Sequence, residues 1–131
     1  MNFLESLEDF VIYHFAHFEQ QVFKRFGEQY CISRELEDKF KNNYIYLFIT
    51  TIEAVILPLY FYSLKDVARY LGFEWQSQDA GGAESVVWYN DYLKARNDPD
   101  AAVGAKSILD KILKYNEDDV RATWKLKQWL R

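Results

Sequence analysis

The sequence predicts a helix-rich α/β chain with few strands and about six helices, and three observations carry that prediction. Five Gly and two Pro in 131 residues leave little room for tight turns, so the elements should be long. Only two runs, Phe10–His14 and Tyr44–Phe48, have the short β-branched and aromatic character of buried strands. Elsewhere apolar residues recur at helical spacing. In the terminal stretch Ile108–Arg131 they fall at Ile108, Leu109, Ile112, Leu113, Val120, Trp124 and Leu126 and break step only at the polar run 115–119.

Half of the residues are apolar and 18% are aromatic, which is enough for one ordered core in a single domain over residues 1–131. A net charge of -4 gives no basic footprint of the kind nucleic-acid binders show. It leaves open an enzyme whose acidic site takes its positive charge from metal ions. Cys31 is the sole cysteine, which excludes an intrachain disulfide and points to a reducing, cytoplasmic setting with Cys31 as a small core residue. Tyr44 to Tyr62 is almost uncharged, yet it contains Glu53, Thr50, Thr51 and Pro58 and is expected to be a buried strand and helix rather than a membrane span.

In chain order, Leu4, Leu7 and Phe10 suggest a short helix before the first strand. A helix from about Phe15 to Tyr30 should face Phe18, Val22, Phe23 and Phe26 inward. Ser33 is the expected N-cap of a helix carrying Leu36 and Phe40, and Thr50 or Thr51 should start the next helix, which must end before Pro58. Ser63 caps a helix with Leu64, Val67 and Leu71 as its stripe and Gly72 as its C′ residue. After the polar loop 76–82, a helix over Ala83–Ala95 should pack Val86, Val87, Tyr89, Tyr92 and Leu93. Pro99 then opens a last helical pair.

Tyr115 and Asp119 are four apart, so on a continuous helix a phenol and a carboxylate share one face a turn apart. Such a pair suits metal-assisted phosphate chemistry, and the same spacing also describes a solvated acidic face. Glu19 follows the end of the first strand, where open α/β sheets place their chemistry, and it equally suits a helix N-terminus. His14 and His17 have only weak zinc spacing. Gly81-Gly82 before a helix lacks the spacing of a P-loop or dinucleotide fingerprint. No Ser-His-Asp or Cys-His arrangement can be drawn.

The segments Ser63–Trp75, Asp79–Tyr89 and Tyr115–Ala122 resemble, in order and spacing, the C-terminal part of the RecB-like nucleases. These have an RNase H-like fold and belong to the DEDD 3′–5′ exonuclease group. The run Ile12–Glu19 resembles that family's second acidic motif. The resemblance implies a partial RNase H-like fold acting on DNA or RNA with Mg²⁺ or Mn²⁺. Glu19 and Asp119 would be metal ligands, and Tyr115 with Asp119 would form the closing Tyr-x-x-x-Asp motif. Lys65 and Lys114 would contact phosphates. The family's first motif, an Asp-x-Glu strand, has no counterpart before residue 10, so the chain is expected to lack its N-terminal strands and to be inactive alone. A homo-oligomer or another chain supplying those strands would complete it. The alternative is a non-catalytic interaction module derived from a nuclease.

Overall fold

The computed structural model describes residues 6–7, 9–76, 81–98 and 101–131, with the side chain of Ala102 excepted. Its described elements run β1 (Ile12–His14), α1 (Phe18–Tyr30), α2 (Arg34–Asn42), β2 (Tyr44–Tyr46), α3 (Leu47–Ala54), α4 (Leu64–Tyr70), α5 (Gly82–Arg96) and α6 (Ala102–Trp129). The architecture is a helix-rich α/β arrangement around a small parallel sheet. The expected lead-in helix, the Asp79 end of the polar loop and Pro99 lie wholly or largely outside the described residues.

β1 and β2 pair in parallel, with Ile12 opposite Tyr44 and His14 opposite Tyr46. Parallel pairing requires a crossover, and α1 with α2 supplies it. Both strands are shorter than their apolar runs. Phe15 to His17 bend away, although the Phe48 N–H still donates to the Phe15 carbonyl at 3.2 Å. Leu47 and Phe48 already belong to α3, so that helix begins three residues before Thr50. No helix among the described residues is long and apolar enough to cross a membrane.

Local chemistry explains the helix ends. Ser33 Oγ accepts from the Leu36 N–H at 3.2 Å and Ser63 Oγ from the Asp66 N–H at 3.1 Å, each satisfying an orphan donor of a first turn. Beyond α4, the Gly72 N–H donates to the Arg69 carbonyl and the Phe73 N–H to the Ala68 carbonyl, both at 2.9 Å. That is the Schellman arrangement, and Gly72 takes the left-handed φ of 75° that it requires. At the end of α1 the same left-handed role falls to Cys31, at φ 50°. Cys31 is therefore an exposed cap and not a core residue.

The long helix α6 organises the packing, touching α5, α4, α3 and β1. It is one continuous helix of 28 residues, not a pair. The polar run 115–119 interrupts the apolar pattern of side chains but holds no Gly or Pro to interrupt the backbone. The main core joins Phe15, Leu47, Leu57, Val67 and Leu126, and an adjoining cluster joins Ala68, Trp75 and Ala122. Two expected inward faces are only partly covered, with Val22, Phe23, Tyr92 and Leu93 half-buried. Phe18 and Phe26 of α1 are exposed, as are Val86, Val87 and Tyr89 of α5, and neither helix has a fully buried residue.

Candidate functional site

The sheet end and α6 bring two carboxylates together. Glu19 lies in the first turn of α1, just past the C-terminal end of β1, and Asp119 lies in the second half of α6. Both line a cleft of about 470 Å³ whose other walls are Tyr13, Leu64, Val120, Arg121, Thr123 and Trp124. Thr123 Oγ1 donates to the Asp119 carbonyl at 2.8 Å, and Arg121 is held by Glu117 at 2.6 Å.

Burial pushes the Asp119 carboxyl above the usual carboxylate range, while hydrogen bonding from the Trp75 indole draws it back. The nearby charges of Asp118 and Glu19 raise it again, and Lys65 opposes them. A carboxylate crowded by two others and half withdrawn from water is one that a cation would stabilise. Tyr115 is not a wall of the cleft. It stands one turn earlier on α6, half-buried, with its ring edge-on to Trp88 at 6.2 Å. Burial, and then the charge and hydrogen bonding of Asp119, push its phenol up, so at neutral pH it keeps its proton and acts as a donor.

Asp118 has a different part. It is 1% exposed and accepts from the Gln76 backbone N–H at 2.8 Å and from Gln76 Nε2 at 3.0 Å. Successive helix positions point about 100° apart, so one carboxylate of the Asp118-Asp119 pair latches the segment after Trp75 while the other faces the cleft. The sequence reading missed Asp118 and Trp75, and neither left a signal: the neighbours of Asp118 at helical spacing, Lys114, Tyr115, Arg121 and Ala122, are not an apolar stripe.

The two lysines separate. Lys65 acts electrostatically on Asp119. Lys114 does not join the site. It lies five positions before Asp119, about 140° around the helix, and lines a different cleft with Gln76, Val103, Lys106, Ser107, Asp110 and Lys111. His14 is buried. Its Nδ1–H donates to the Ala16 carbonyl at 2.6 Å, its Nε2 faces the Gln20 amide at 3.5 Å, and its ring stacks on Tyr46. At Gly81-Gly82 the Gly81 N–H is taken by Glu84 at 3.0 Å.

Hard oxygen donors at Glu19 and Asp119 suit one Mg²⁺ or Mn²⁺ ion as part of its shell. They do not suit a pair of ions, because among the described residues no group of three or more His, Cys, Asp or Glu gathers to hold a metal.

A family model described as RNase_H superfamily matches residues 1–131. No curated protein matches the chain, and neither does any solved structure. The match runs the full length, over both the strand end that carries Glu19 and the helix that carries Asp119. The chain is a nuclease-like member of the RNase H superfamily.

Proposed function

We propose that this chain is the nuclease domain of a 3′–5′ exonuclease-like enzyme that cuts phosphodiester bonds of DNA or RNA, and that its acidic site is completed by carboxylates from another segment or chain. The observation that carries the reading is the convergence of Glu19 and Asp119 on one cleft, with Tyr115 a turn away. The Tyr-x-x-x-Asp spacing supports the RecB-like affiliation.

Glu19 and Asp119 would hold a divalent ion. When bound, that ion would polarise a phosphoryl oxygen or acidify a water. The Trp75 indole orients the Asp119 carboxylate by a hydrogen bond, and Tyr115 presents a protonated hydroxyl to orient a water or a phosphate oxygen. A phenol whose pKa is raised is a poor general base, so Tyr115 positions and does not abstract. Lys65 would meet a phosphate near Asp119. Carboxylates supplied from elsewhere would fit the short sheet, whose two strands leave, among the described residues, outer edges to which a further strand could add.

The test pairs metal binding with cleavage. Mn²⁺ titration of the chain should show weak binding that Asp119→Asn removes while the protein stays folded. Cleavage of labelled DNA and RNA should be absent or slight in the chain alone, and should appear with Mn²⁺ or Mg²⁺ when an Asp-x-Glu strand is supplied. Mn²⁺ binding or metal-dependent cleavage that survives Asp119→Asn would overturn the reading.

A second reading, a non-catalytic interaction module, draws on the loop after α3. There Ile56 and Tyr60 are almost wholly exposed and Phe61 is 76% exposed. Under it, Asp119→Asn changes nothing measurable, whereas polar substitutions in that loop abolish association.

A further inference from the structure

We propose that the cleft lined by Lys106, Lys111 and Lys114 holds a nucleic-acid strand by its phosphates, as a site separate from the acidic cleft. The cleft has a volume of about 730 Å³, larger than the 470 Å³ of the acidic one. Its wall from α6 carries three lysines, and Asp110 between them leaves a local charge of three minus one, or +2, on a chain whose net charge is -4. A concentration of positive charge against the sign of the whole molecule marks where an anion is drawn.

The spacing decides which anion. Lys106 and Lys114 are eight residues apart, or about 12 Å along the helix axis at 1.5 Å per residue, with Lys111 between them. One inorganic phosphate cannot meet all three. A strand rising about 3.4 Å per nucleotide presents three or four phosphates over that length. The lysines are also available for it. Among the described residues neither Lys106 nor Lys114 has an ion-pair or hydrogen-bond partner, and the Lys–carboxylate pairs use Lys41 and Lys94. The Lys111 ammonium sits 3.9 Å from the centre of the Trp88 ring, which fixes its position and leaves its charge in place. Gln76, which also lines the cleft, is held in place by its two hydrogen bonds to Asp118.

Because Lys114 points about 140° away from Asp119 around α6, a strand lying here does not run straight into the acidic cleft. The lysine cleft retains the polymer while the acidic cleft acts on another part of it. The nature of the occupant rests on the nuclease reading. The cleft and its charge do not.

The test is fluorescence anisotropy of short labelled DNA and RNA strands with the full chain in chelator, where no cleavage occurs. Wild type is compared with the Lys106→Gln, Lys111→Gln, Lys114→Gln triple variant, and with the Lys106→Gln, Lys114→Gln double variant that spares the Trp88 contact. A Lys41→Gln, Lys94→Gln variant is the control. With three single-strand phosphate contacts the salt slope should fall by about 2 in the triple variant, an affinity change near 20-fold between about 50 and 200 mM salt. The double variant should lose two-thirds of that slope and the control none. The proposal is overturned if wild type does not bind, if the triple variant keeps wild-type affinity and slope, or if the control loses as much as the double variant. Binding with no cleavage in the strand-completed metal assay would sink the nuclease reading and leave the cleft standing. Cleavage with unaltered binding in the triple variant would do the reverse.

Discussion

Asp118 accepts two hydrogen bonds from Gln76 whereas Asp119 faces a cleft, so the same truncation should have different consequences at the two positions. Asp118→Ala removes both hydrogen bonds made by a buried carboxylate and should cost roughly 1–3 kcal/mol in urea unfolding. Asp119→Ala loses one hydrogen bond, from the Trp75 indole, but relieves a carboxylate disfavoured by burial and by the charges of Asp118 and Glu19, so it should cost less. Equal losses would mean that Asp119 is structural too. The pH dependence of Asp119 has a definite sign. Its folded-state pKa is raised, first by burial, so folding favours the protonated form. That contribution is full below the ordinary Asp pKa and is lost as pH rises through the raised one. The stability of Asp119→Asn relative to wild type should therefore move in favour of the variant from acid to neutral pH without metal. A difference that is flat with pH, in paired urea titrations, would contradict the burial of this carboxyl. The pairing of Tyr115 with Asp119 was legible in the sequence because four-residue spacing is a property of any helix. The role of Asp118 was not, because its partner lies 42 residues away.

Among the elements, the caps are the parts that sequence chemistry described best. Ser33, Ser63 and Gly72 all act within three residues of themselves, so nothing distant can override them. Ser63→Ala should cost about 1 kcal/mol. Gly72→Ala should cost about 1–2 kcal/mol, since φ is 75° while a Cβ there meets nothing within 4 Å. Thermal unfolding of both variants checks this, and a neutral Gly72→Ala would mean that the turn is not left-handed in solution. Faces were harder to read than ends. Apolar spacing marks the side of α1 and α5 that would be buried, but burial needs a covering partner. Among the described residues Phe18, Val86 and Val87 have too little cover to be buried. The helical pair expected after Pro99 became one helix because a gap in hydrophobicity is not a gap in the backbone hydrogen-bond ladder.

At the scale of the whole molecule, α6 is both the packing axis and the divider between two clefts, one acidic and one basic. Exposed apolar surface is concentrated at Ile56, Tyr60 and Phe61, beyond the scattered exposure that a monomer normally carries. Sedimentation of the chain should show concentration-dependent self-association, and Ile56→Lys with Phe61→Lys should reduce it without lowering the melting temperature. A strictly monomeric wild type would remove the case for that loop as a contact surface. By itself the sequence determined the helix-rich class, the two strand positions, the caps and the Tyr-x-x-x-Asp pair, because each follows from local propensity or fixed spacing. Only the tertiary structure decided that Glu19 meets Asp119, that Lys114 turns to another face, and that Asp118 is a latch. Those facts depend on how α6 is rotated against β1 and the segment after Trp75, and that rotation is set by packing between residues far apart in the chain.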